Sequence, residues 1–116
     1  MIAAVHEDTI VGASAGDCGA WLIHDVVEDL TERQVRKPLL GTRAAQPVPF
    51  RARLGAGTLL LASDGLLKYA RRNDIADVAR LEDLEAAAEE LMRLPQLRSG
   101  DVPDDVSVVL WWAELE

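Results

Sequence analysis

Three short acidic segments carry the residue types that could do chemistry. Asp17 sits in Gly16-Asp17-Cys18-Gly19, Asp64 in Ser63-Asp64-Gly65, and Asp104 and Asp105 stand just before Val106-Ser107. In each, an apolar, strand-like run meets a turn, and a small residue (Gly16, Gly65 or Ser107) stands close by. Carboxylates brought to one rim repel each other, and hard divalent cations with oxygen ligands relieve that repulsion. Taken singly, each segment has a simpler account. Asp17 suits a turn, Asp64 suits a helix N-cap, and Asp104-Asp105 suits a solvated turn after Pro103. Taken together, with a wholly apolar run delivering Asp64, a metal site competes with those accounts. Cys18 is the single cysteine, which excludes an internal disulfide and a cysteine-built zinc site. A catalytic thiol would want a cation beside it, and the local sequence offers none, so Cys18 reads as a turn-packing thiol.

The elements that must position these aspartates are mainly strands in the first half. Thr9–Ala15 and Gly19–His24 are apolar runs joined by a glycine-bearing turn, a pattern that predicts an antiparallel hairpin. Residues 28–36 suggest a helical turn, after which Pro38, Gly41, Pro47 and Pro49 break any long element. Phe50–Leu54 alternates as a half-exposed strand does. Thr58–Ser63 is apolar on both faces, as a buried strand is. Leu66–Ala70 and Ile75–Ala79 suggest helix. Residues 82–94 form the clearest helix, with Leu84, Ala87, Ala88, Leu91 and Leu94 on one stripe. Val106–Trp112 closes the chain as a strand, with Val106, Val108, Leu110 and Trp112 on one face and Val109 and Trp111 on the other. The expected core comprises Ile10, Trp21, Leu22, Leu60, Leu61, Leu66, Leu84, Leu91, Val108 and Leu110. His6 and His24 read as surface residues, and Lys68, Arg71 and Arg72 as a solvated helix face.

The chain of 116 residues is one domain or part of one. Its net charge of −8 argues against nonspecific nucleic-acid binding. The charge is unevenly spread. Residues 1–25 hold four acids and no Lys or Arg, residues 101–116 five acids and again no Lys or Arg, and residues 26–75 nine bases against five acids. No apolar run approaches the ~20 residues of a membrane span, and no basic stretch precedes an apolar core at the N-terminus. A cytoplasmic protein without a membrane or nucleic-acid partner is the expectation.

Leu59-Leu60-Leu61-Ala62-Ser63-Asp64-Gly65-Leu66 resembles the L-L-L-x-S-D-G-L signature of the metal-dependent protein serine/threonine phosphatases of type 2C. Val11–Leu22 is similar to that family's x-A-x-x-G-D-S-R-x-x-L segment, Pro38-Leu39-Leu40-Gly41 to its x-x-L-G segment, and Asp104–Val109 to its D-N-x-[ST]-V-V strand. These matches fall in the family's order from about Thr9 to Leu110. The resemblance implies an α+β fold in which a mainly antiparallel two-sheet sandwich is flanked by helices, with Mn²⁺ or Mg²⁺ at one end. It implies Asp64 and Asp104 as the main metal ligands and Asp17 as the carboxylate of a more weakly bound additional ion. Asp105 stands where the family usually has Asn, so with Gly16, Gly65 and Ser107 it is expected behind the ligands. The implied activity is hydrolysis of phosphoserine or phosphothreonine in a phosphoprotein substrate. The family also needs an Asp-Gly pair in its N-terminal half, whereas Glu7 and Asp8 are the only acids before Asp17 and neither precedes Gly. Residues 1–116 therefore read as the C-terminal part of such a domain, weak or inactive alone. The expected partner is a separate N-terminal half or a second copy. A non-catalytic interaction or regulatory module is the alternative.

Overall fold

The computed structural model describes residues 1–96 and 100–113. Two antiparallel sheets form the body of the chain. Strands β1 (Ile2–His6), β2 (Thr9–Ser14) and β5 (Val48–Arg53) make a three-stranded sheet in the order β1-β2-β5. Strands β4 (Val27–Asp29), β3 (Gly19–Ile23), β6 (Thr58–Ala62) and β7 (Val108–Trp111) make a four-stranded sheet in the order β4-β3-β6-β7. Helices α1 (Asp64–Leu67), α2 (Arg72–Ala79) and α3 (Leu84–Arg93) follow β6. The expected α+β sandwich is thus the observed architecture.

The four-stranded sheet lies in the middle layer, which is why its central strands are apolar on both faces. On one face Leu22 and Leu59 meet Ile10 and Leu54, with Phe50 and Val5 of the smaller sheet packed against them. On the other, Trp21, Ile23, Leu60 and Ala62 meet Leu66, Ile75, Ala76, Ala79 and Leu91 from the helices. Every residue of β3 is buried, as expected of a strand covered on both sides. Asp83 caps α3 by accepting from the backbone N–H groups of Glu85 and Ala86, and Arg93 in its last turn reaches Glu90, as the helix dipole favours. Of the expected core, Ile10, Trp21, Leu22, Leu60, Leu66 and Leu91 are buried. Leu61, Leu84, Val108 and Leu110 are only half-buried.

Several expectations are corrected. Thr9–Ser14 and Gly19–Ile23 are strands, but they do not pair with each other; they belong to different sheets. β2 instead pairs with β1 across the Glu7-Asp8 turn and with β5. β3, apolar on both faces, crosses into the other layer, where it pairs with β6 and β4. Residues 15–18 span the roughly 10 Å between sheets, and Gly16 at φ 112° makes the bend. β1 itself has no clear signature in its small, mixed sequence; it forms because β2 offers it an edge. Residues 28–36 are not helical: β4 ends at Asp29, whose carboxylate takes both the N–H and the hydroxyl of Thr31 at 2.9 Å. Such local side-chain bonds favour a turn over a helix. Arg72 is not merely solvated, since it lies 5.1 Å from the centre of the Trp21 ring and donates to the Val27 carbonyl.

Candidate metal centre

The register places the acidic segments at one end of the sandwich. Gly19 opens β3 opposite Ala62, which closes β6, and Ala62 in turn faces Val108, which opens β7. Asp17 precedes β3, Asp64 follows β6, and Asp104 and Asp105 precede β7. All three segments therefore meet at that rim. Asp8 is elsewhere: it lies at the opposite end of β2, where its carboxylate accepts from the Gly55 N–H at 2.7 Å and from Arg53.

Asp64 is the first residue of α1, and Ser63 precedes it as the helix cap without a side-chain capping bond. The Ser63 hydroxyl turns instead to the loop before β7. It donates to the Asp105 carbonyl at 3.2 Å and accepts from the Ser107 N–H at 2.9 Å, while the Ser63 N–H donates to the Ser107 carbonyl at 3.0 Å. Three hydrogen bonds thus clasp the Asp104–Ser107 segment onto the start of α1. Gly65 is buried beneath it, and a Cβ there would stand 2.0 Å from the Asp105 carbonyl oxygen. The Ser-Asp-Gly sequence consequently supplies the carboxylate, the clasp and the space for the loop that carries Asp104.

Burial pushes the Asp64 carboxyl above its usual range, and the negative charges of Asp17 and Asp104 push it further. A hydrogen bond with the Asp17 carboxyl acts in the same direction, while Lys68 opposes them. Asp17 and Asp104 thus both act on Asp64 through their charge. One Asp104 oxygen accepts from the Asp105 N–H at 2.8 Å. Among the described residues, no three His, Cys, Asp or Glu side chains form a ready-made cage for one ion. The donors at the rim are nevertheless all carboxylate oxygens, a set that suits Mg²⁺ or Mn²⁺ rather than zinc. Cys18 is exposed.

The turn bearing Asp17 is held from residues 30–36. The Gly16 N–H donates to the Val35 carbonyl at 2.9 Å. The Gln34 side-chain amide donates to the Cys18 carbonyl at 2.6 Å and accepts from the Ser14 hydroxyl. Arg36 lies 3.7 Å from the Asp17 carboxylate. Gln34 and Arg36 were not readable as site residues, because nothing in the sequence ties them to a turn some 16 to 20 positions earlier. Ser63 could have been found, since it belongs to the signature that contains Asp64.

The fold has clear counterparts among solved structures. A bacterial serine phosphatase carrying an arginine-to-glutamate substitution superposes with a TM-score of 0.82 and 29% identity, over 97% of this chain and 52% of the other. The serine/threonine phosphatase Stp1 from Staphylococcus aureus gives 0.80 and 25%, over 97% of this chain and 54% of the other. The chain has the fold of bacterial serine/threonine phosphatases. A third, the catalytic domain of the serine/threonine protein phosphatase PstP in complex with two manganese ions, gives 0.78 and 21%, over 93% of this chain and 55% of the other. Residues 1–116 therefore span about half the length of the phosphatase structures they match. No family model and no curated protein matches the sequence. Among the described residues no helix is long and apolar enough to cross a membrane.

Proposed function

We propose that the chain is the C-terminal part of a Mn²⁺- or Mg²⁺-dependent protein serine/threonine phosphatase acting on phosphoproteins. The observation that carries this reading is the convergence of Asp17, Asp64 and Asp104 at one rim, where burial and mutual repulsion raise the Asp64 carboxyl. Asp64 and Asp104 would hold the metal and Asp17 an additional ion. A divalent cation there would acidify a bound water and offset charge on the transferring phosphoryl group.

The chain's own residues have separable tasks. Ser63 and Gly65 fix the loop of Asp104 against Asp64. Gln34 holds the turn of Asp17, and Arg36 pairs with the Asp17 carboxylate at 3.7 Å. Without a cation, burial and the charges of Asp17 and Asp104 favour retention of a proton on Asp64. Asp8 is bound to Gly55 and Arg53 far from the rim, so residues 1–16 bring no further carboxylate to it.

Titration calorimetry with Mn²⁺ tests the reading. Weak binding to the chain is expected, lowered by about tenfold or more in both Asp64→Asn and Asp104→Asn, because ligand count and charge set affinity for hard cations. Unchanged binding in both variants would remove the metal role. Hydrolysis of p-nitrophenyl phosphate by the chain alone should fall far below the ~1 per second at the low end of ordinary enzyme turnover. The absence of a ready-made three-donor cage among the described residues favours a second reading, a non-catalytic phosphatase-like module. That reading requires no Mn²⁺-dependent turnover even when the remainder of the domain is supplied.

A further inference from the structure

The two sheets do not match in extent: three strands lie opposite four. β7 is one of the two edge strands of the larger sheet. In its ladder with β6, Leu59 faces Trp111 and Leu61 faces Val109, and directly opposed residues share a face of the sheet. Leu59 belongs to the cluster between the sheets, and Leu61 packs against it. Val109 and Trp111 therefore point into the same inter-sheet layer. They are nonetheless 57% and 51% exposed. The alternate residues Val108 and Leu110 pack beneath the helices, so only the inter-sheet side of β7 is open. Among the described residues β7 also has a strand on one side only, leaving backbone N–H and C=O groups along its outer edge for another strand.

We propose that this face and edge seat the other half of the phosphatase fold, which lies over Val109 and Trp111 and pairs along β7. The proposal rests on the phosphatase reading. What identifies the occupant is length: the matched phosphatase structures share this fold and run to nearly twice the residues matched here. A partly apolar inter-sheet layer that ends in solvent at a tryptophan is the surface their additional strands would cover. Val109 and Trp111 supply an apolar seat, and the free edge of β7 supplies main-chain register, the combination used in strand addition.

The experiment is co-expression of the 116-residue chain with the half of the bacterial serine phosphatase that it does not match, followed by size-exclusion chromatography without added metal. A one-to-one complex is expected, with amide exchange across 108–111 slowed about tenfold or more relative to the chain alone, as for backbone moved from a free edge into a ladder. Trp111→Lys and Val109→Lys should each weaken the complex about tenfold or more and leave the melting temperature of the isolated chain unchanged, since both side chains are exposed in it. No complex, or one indifferent to both substitutions, would overturn the proposal. So would a concentration-dependent homodimer abolished by Trp111→Lys, which would assign the face to a second copy. Association is read without Mn²⁺ or turnover, so its failure is distinct from failure of the metal reading.

Discussion

Gly65→Ala tests the link between the Ser-Asp-Gly signature and the geometry of the rim. Gly65 lies within α1, where helix propensity alone would make alanine more stable by about 1 kcal/mol. The packing argues the other way. The added Cβ would stand 2.0 Å from the Asp105 carbonyl oxygen and 2.8 Å from its carbon. Ordinary contact begins near 3.4 Å, so the loop must retreat by about 1.4 Å. Overpacking of this kind costs about 1–3 kcal/mol. The retreat also strains the two bonds to the Ser63 hydroxyl, worth about 1 kcal/mol each. The net expectation is a loss of about 3 kcal/mol, which for a chain of this size lowers the melting temperature by roughly 10 °C. Thermal unfolding followed by circular dichroism reads the change, and urea titration gives the free energy. A variant that melts at or above the wild-type temperature would refute the reasoning, because it would show that the loop bearing Asp104 does not rest on Gly65.

Asp64→Asn should stabilise the metal-free chain at pH 7, because the raised carboxyl makes the folded state hold its proton more tightly than the unfolded one. That raised group withdraws stability as pH climbs from the usual value of 3.8 through the folded-state value. The advantage of Asn should therefore shrink as the melt is repeated toward pH 4, and persistence of the full difference there would contradict the assigned cause. Saturating Mn²⁺ should reverse the order of the two proteins, through linkage to the wild-type site. Leu60→Ala, at a fully buried position between β3 and β7, should cost about 2–5 kcal/mol in urea denaturation, whereas Val109→Ala on the open face should fall within about 0.5 kcal/mol of wild type. Asp83→Ala, which removes the cap of α3, should cost about 1 kcal/mol in the same assay.

The sequence announces most clearly those parts whose cause is local. Thr58–Ala62 is legible because a strand covered on both faces must be apolar throughout, and α3 because its apolar stripe runs unbroken from Leu84 to Leu94. The rim aspartates are legible because each ends or begins such a run. Layer assignment is not local. The Gly-Asp-Cys-Gly turn suits a hairpin as well as a crossing between sheets, and the outcome depends on β1 and β6, which offer β2 and β3 better edges. β1 is invisible for the same reason, since its place follows from pairing rather than composition. The support given by Gln34 and Arg36 to the Asp17 turn, and the partial exposure of Val108 and Leu110, likewise depend on which surfaces meet.

The clasp between Ser63 and the Asp104–Ser107 loop has a consequence for how the chain reaches its final form. Asp17 and Asp64 are separated by 64 − 17 = 47 positions, and Asp64 and Asp104 by 104 − 64 = 40. No contiguous fragment brings all three to the rim, and the entropy of closing two long loops must be met before their mutual repulsion is even felt. The repulsion among these carboxylates therefore arises only as β3, β6 and β7 pair and bring the rim together. A divalent cation acting on such a rim would serve as a late latch: it would leave the rate of chain collapse untouched and slow the first opening of the finished sandwich.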